Sequence, residues 1–281
     1  MSALATERPP DWAAAYSPDR IAIAAMLGLR PLRYTGEGRP LAGPPIEGLR
    51  VTAVGSPERP SYHDSTGLYG FLRLPAGARR IEISDPTRRV LPWAITANVP
   101  DRSTIRAALQ AGVTPPSSPA PLLLDVALRP APGAPLSPGL TAIWGIVRES
   151  SSGAPVPLAR IACATAGGGS VATYAQRDGG FVIVLPLEKP SSLAQPPVFD
   201  FPRALTLHAP KPPLAAALGG ANFVGALPAD LDTLDPNAAT SPFAARQYRL
   251  RKGDGTLIAG PNPDLPVRAA QQSRWDIELL P

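Results

Sequence analysis

The chain has 281 residues, 44% of them hydrophobic, with 38 prolines and 25 glycines. That apolar content excludes a wholly disordered chain and suffices for two modest cores, while the proline load points to short strands with protected edges and long Pro-rich connections. The formal charge of +5 is carried by arginines scattered along the chain, with Lys189, Lys211 and Lys252 as its lysines, which excludes the dense basic stripe of a nucleic-acid binder; the single cysteine excludes an intrachain disulfide.

Residues 1–20 read as an extended N-terminal arm. Pro9-Pro10 forbids an early helix, and Trp12 and Tyr16 are its expected anchors on a partner. The N-terminus lacks the apolar core of a secretory signal, and the apolar run Ile21–Leu29 is too short to span a bilayer, so a cytoplasmic location is expected.

Residues 21–120 form the expected first β domain. The run from Ile21 fits a strand or a short helix by period alone. Leu29 to Tyr34 alternates, and so does Leu49-Arg50-Val51-Thr52-Ala53-Val54. Ser65-Thr66-Gly67 turns into Leu68–Leu74, and Ala76-Gly77 turns into the alternating Arg80–Ser84. Asp101 or Ser103 is placed to cap a short helix, with Gly112 to end it. Residues 121–140 read as a Pro-rich linker carrying one strand, Leu122–Leu128.

Residues 141–281 form the expected second domain, organised around 144–186. Ile143–Val147 is an apolar, β-branched run and Ser150–Gly153 a turn. Val156–Ala164 is a strand with Ile161 and Cys163 on one face, and Gly167-Gly168-Gly169 is a hairpin tip. Asp178-Gly179 between two apolar runs is a strong hairpin signal, because glycine takes positive φ freely. A loop insertion is expected over about 187–245, and such excursions are where partners bind; Phe199, Phe201 and Phe223 are its expected contacts. In the closing strand, Trp275, Ile277 and Leu279 alternate against Asp276, Glu278 and Leu280.

The central stretch resembles the carboxypeptidase regulatory-like domain, a small transthyretin-like β-sandwich. The matching residues are Gly145 and Val147, then Gly153, Pro155, Val156 and Ala159, then Asp178, Gly180, Phe181 and Pro186, with Thr173 standing one residue further from the aspartate than the family pattern has it. The resemblance implies a non-catalytic fold module, so no functional residues transfer with it. The first domain repeats the layout: Gly38–Gly43, Leu49–Ala53 and Asp64–Pro75 parallel Gly153–Leu158, Ala159–Cys163 and Asp178–Pro186, as in a diverged duplication. The wider layout, with Leu29–Leu32 to Gly67–Phe71 ahead of the regulatory-like segment, also resembles β-sandwich proteins found with phage-tail-like contractile injection particles.

Chemistry-bearing residues are few. His63-Asp64 sits near Ser61 and Ser65, but neighbours on an extended chain point opposite ways, and a solvated turn is expected. His208 ends a strand and is expected on the surface. Cys163 is expected to be a buried apolar side chain. Asp230, Asp232 and Asp235 lack the order of a calcium loop, and Gly167–Gly169 lacks the lysine and helix of a phosphate loop. No catalytic residue, cofactor or metal is assigned.

The expected fold is all-β: two small transthyretin-like or immunoglobulin-like β-sandwich domains with Pro-rich linkers and extended arms. The expected function is non-enzymatic: a structural or assembly protein, in the finer reading a component of a phage-tail-like contractile particle. Its partners would be other protein subunits, copies of itself included, with neither nucleic acid nor a membrane span. The alternatives are a carbohydrate- or peptide-binding module and, last, a hydrolase.

Overall fold

The structure, a computed structural model, describes residues 25–33, 46–110, 123–165, 168–186, 200–212, 227–228, 231, 234–258 and 260–281. The fold is all-β, with one helix, α1 (Arg102–Gln110), among the described residues. No described helix is long and apolar enough to cross a membrane. Two compact units interleave along the chain: Met1–Arg30, Val51–Ile81 and Thr96–Val126 make the first; Pro31–Arg50, Glu82–Ile95 and Ala127–Pro281 make the second.

The first unit is built from β1 (Leu27–Arg33), β2 (Arg50–Ala53), β3 (Ser61–His63), β4 (Leu68–Phe71), β5 (Gly77–Ser84), β6 (Trp93–Val99) and β7 (Leu123–Leu128), several of which run on past its limits. One sheet has the order β3-β4-β1-β7, with Leu27 opposite Phe71 and Leu29 opposite Tyr69; the strands β6, β5 and β2 neighbour one another in a second. The expected alternation is realised: Leu49, Val51 and Ala53 are buried while Arg50, Thr52 and Val54 face out. Helix α1 starts as capping chemistry predicts. The Asp101 carboxylate accepts the Ser103 N–H at 3.3 Å and the Ser103 hydroxyl at 2.7 Å. Gly112 lies outside the described residues.

The second unit is a two-layer sandwich. Its first sheet has the order β10-β9-β13-β15, from β9 (Arg160–Ala164), β10 (Ser170–Tyr174), β13 (Leu205–Pro210) and β15 (Phe243–Ala245). Its second has the order β11-β8-β19-β16-β17, from β8 (Thr141–Glu149), β11 (Gly180–Leu185), β16 (Tyr248–Lys252), β17 (Leu257–Ile258) and β19 (Gln272–Leu279). Between them lies a core of Val147, Ile161, Cys163, Phe181, Leu207, Tyr248, Ile277 and their neighbours. Each fully buried aliphatic or aromatic side chain there is worth about 1.5–3 kcal/mol. Half-exposed ion pairs such as Arg246–Glu149, at 3.2 Å, are worth about 1 kcal/mol or less, so the apolar core dominates.

The Asp178-Gly179 turn forms as expected. Gly179 has φ of 78° and its N–H donates to the Gln176 carbonyl. The hairpin expected around it does not form: β10 pairs with β9, and β11 pairs with β8. The reason is the core. Val171 and Ala175 face it from one sheet and Phe181, Ile183 and Leu185 from the other, so the turn carries the chain between layers.

Within the insertion expected at 187–245, β12 (Asp200–Arg203) pairs with β18 (Leu265–Arg268), β13 is a central strand, and β14 (Leu227–Pro228) lies parallel to the start of β6. Within 121–140, Leu123–Leu128 is β7, and Arg129 and Ala131 are buried.

Candidate functional site

Of the residues expected to touch partners, Trp12, Tyr16, Phe199 and Phe223 lie outside the described residues. Phe201 is on β12 opposite Val267, half-buried, with the Arg203 guanidinium 5.3 Å from its ring centre.

The histidines divide. His63 is exposed at the end of β3, where the turn begins, its Nδ1 within 3.2 Å of the Ser65 hydroxyl and 2.9 Å of that of Thr66. His208 corrects its expectation: it is inside β13, not at its end, and is buried. Its Nε2 lies 3.1 Å from Asn237 Oδ1, and its strand partner on β15 is Ala245. On the outer side of β13 Thr206 is exposed while His208 is buried, a local cover that the alternation of the strand did not reveal. Cys163 is buried in the core and unbridged, as expected. Asp230 and Asp232 lie outside the described residues; Asp235 accepts the Asn237 N–H at 2.9 Å. Among the described residues no group of three acidic, histidine or cysteine side chains is placed to hold a metal.

Buried polar side chains serve the scaffold. The Asp85 carboxylate accepts the Thr87 hydroxyl and the Arg89 Nε–H, each at 2.7 Å, and both residues' backbone N–H groups at 2.9 Å. Burial pushes its pKa up, but the bonds from Arg89 and Thr87 outweigh that and hold it well below the usual carboxylate range. The Tyr248 hydroxyl lies 3.1 Å from the Leu205 carbonyl and 3.2 Å from that of Pro263, and burial pushes its pKa up to about 12. Arg129 stacks 4.7 Å from the Trp93 ring centre and 5.6 Å from that of Tyr174, and donates Nε–H to the Ala172 carbonyl at 2.9 Å.

A concavity of about 240 Å³ in the second unit is lined by Leu128, Pro130, Leu136 and Val184 with Arg33 and Arg89. Another of about 330 Å³ in the first unit includes Ser56 and Glu58, whose oxygens accept backbone N–H groups. In neither is a hydroxyl set against a base.

The accessible chemistry lies on the outer face of the second unit's larger sheet. Its registers place Trp144 beside Arg274, and Glu278 between Arg148 and Arg249; Arg251 lies opposite Asp276. Trp144 is 42% exposed with the Arg274 guanidinium 5.3 Å from its ring. Arg274 pairs with Asp276 at 3.1 Å and Arg251 with Glu278 at 2.8 Å. Sequence reasoning missed this face. Its signal was in the outward positions of two alternating strands, but their juxtaposition depends on a register between residues some 130 positions apart.

That register has a structural centre. The pairing of β8 and β19 is interrupted at Gly145-Ile146. A Cβ on Gly145 would overlap the Trp275 carbonyl, and the Ile146 N–H donates instead to the Asp276 carboxylate at 3.1 Å. A Cβ on Gly179 would likewise overlap the Val147 carbonyl.

No family model matches the chain. No curated protein matches it either. Solved structures that resemble it include three pilins. The Streptococcal ancillary pilin is 11% identical, with a TM-score of 0.21, over 60% of this chain and 56% of its own. The major pilin subunit of Bacillus cereus is 8% identical, with a TM-score of 0.24, over 75% and 41%. The minor pilin of Streptococcus agalactiae is 11% identical, with a TM-score of 0.21, over 90% and 94%. The chain spans about half the length of the first two. At such TM-scores the likeness carries no inference about function.

Proposed function

We propose that this chain is a non-enzymatic structural protein that assembles with other protein subunits, copies of itself included. One observation carries the reading: the buried polar groups tie backbone segments together, while the accessible charged groups spread over an open sheet face. Substrate sites are concave with a few convergent polar groups; open faces with mixed charge suit protein partners.

The finer reading is a subunit of a phage-tail-like contractile particle, assembled in the cytoplasm, with a regulatory-like second domain. It rests on the sequence resemblance. What supports the resemblance is that two of its glycines stand in crowded places: a Cβ on Gly145 would overlap the Trp275 carbonyl, and one on Gly180 would crowd the Asp178 carboxylate. The contacts proposed for Trp12, Tyr16, Phe199, Phe201 and Phe223, and the domain limits at 20, 120 and 140, belong to the same reading.

Size-exclusion chromatography with light scattering on the full chain tests it. Species heavier than one chain, growing with concentration, are expected. A strict monomer at every concentration sinks the self-assembling form, and turnover of an ester or glycoside substrate sinks the non-enzymatic one.

A further inference from the structure

We infer that the open face of β8, β19 and β16 is a docking surface for an acidic, extended polypeptide segment of a partner subunit. The inference deepens the assembly reading and rests on it for the nature of the partner.

Two strands decide which part of the sheet is open. On β11, Val182 and Val184 lie opposite Trp144 and Ala142, on the same outer side, yet both are buried. Val184 shares its surroundings with Pro130, Leu136 and Leu140 of the Pro-rich stretch, which covers that edge. Ala142 at the start of β8 is buried too; beyond it the cover ends, and Trp144, Arg148, Arg249 and Arg274 are all exposed.

The charge on this face is unbalanced in a defined way. Four arginines stand against two carboxylates. Each carboxylate already has an arginine, Asp276 with Arg274 and Glu278 with Arg251. Arg148 and Arg249 are left without a carboxylate partner among the described residues, one on each side of Glu278. Two strand spacings separate them, about 10 Å at the backbone. Alternate residues of an extended chain point to one side and lie about 7 Å apart, a difference that the long glutamate and arginine side chains span. A segment crossing the strands would set one carboxylate on each arginine, and its backbone N–H groups would meet Glu278.

The same layout argues against nucleic acid. A phosphate backbone brings evenly spaced charges onto Glu278 and Asp276 as well, where they are repelled. Single-stranded binding also relies on several stacking rings, and this face exposes one, Trp144, among the described residues.

The test is fluorescence polarisation of a labelled Glu-Ser repeat peptide titrated with the full chain, beside a Lys-Ser repeat and a single-stranded DNA oligonucleotide. The expected result is binding of the Glu-Ser peptide that weakens with salt, falls about tenfold or more in Arg148→Glu/Arg249→Glu, and is unchanged in Arg59→Glu on the other unit. Glu278→Gln removes the central negative charge and is expected to tighten binding severalfold, a gain that misfolding does not produce. No binding of the Glu-Ser peptide overturns the inference, as does binding indifferent to Arg148 and Arg249. Tighter binding of the DNA with the same arginine dependence replaces the partner class. Light scattering separates the two readings: a chain that self-assembles but ignores the peptide keeps its structural role and loses this surface.

Discussion

At the scale of single residues, the glycines of the central stretch act by what they exclude. Gly145 leaves room for the Trp275 carbonyl, and Gly179 combines positive φ with the approach of the Val147 carbonyl. Backbone atoms cannot swing aside as a side-chain tip can, so an added methyl must push strands apart. Gly145→Ala is expected to destabilise the second unit by about 3 kcal/mol, read as a lower denaturant midpoint. Exposed Gly255, where a Cβ meets nothing within 4 Å, also has positive φ; Gly255→Asn, a residue tolerant of that conformation, is expected to cost under about 1 kcal/mol. Tyr248 gives a second residue-scale outcome. Its single hydroxyl proton lies within reach of two backbone carbonyls in a buried site, so Tyr248→Phe is expected to cost about 1–2 kcal/mol.

At the scale of elements, the free edge of β10 is the telling case. An edge strand offers unpaired backbone groups to any neighbouring chain. Here the Ala172 carbonyl on that strand is taken by Arg129, whose guanidinium is clamped between Trp93 and Tyr174. A buried cation is costly unless bonded and stacked, and the planar fork of arginine does both at once. Arg129→Met is expected to lower stability by about 2 kcal/mol through the stranded carbonyl, and to speed aggregation, followed by light scattering at fixed temperature. Arg129→Lys is not expected to restore it, because a point-like ammonium cannot stack and donate in the same plane.

At the scale of the whole molecule, two ionisable groups bracket the pH range of stability. The folded pKa of Asp85 is depressed, so its contribution is present above the unfolded value near 4 and is lost as pH falls toward the lower folded one. The folded pKa of Tyr248 is raised from 10.0 to about 12, so its contribution is present below pH 10 and is lost as pH rises through 12. Denaturant midpoints measured across pH are therefore expected to fall off at both ends. Asp85→Asn is expected to blunt the acid fall and leave the alkaline one, and Tyr248→Phe the reverse.

What was legible in the sequence is what local chemistry dictates. The alternation of Leu49–Val54 and of Trp275–Leu280, the cap at Asp101, the turn at Asp178-Gly179 and the burial of Cys163 each depend on a few adjacent residues. Steric limits on φ and the two-residue period of a strand act within that reach. The layering was decided elsewhere. That β11 joins a different sheet from β10, that His208 is buried on the outer side of its strand, that Arg129 closes an edge, and that Trp144 meets Arg274 all depend on contacts between residues 29 to 130 positions apart. Such pairings are selected by the shared burial of a core that forms only when distant strands meet. A single strand's pattern shows which side is apolar, not which distant strand will cover it.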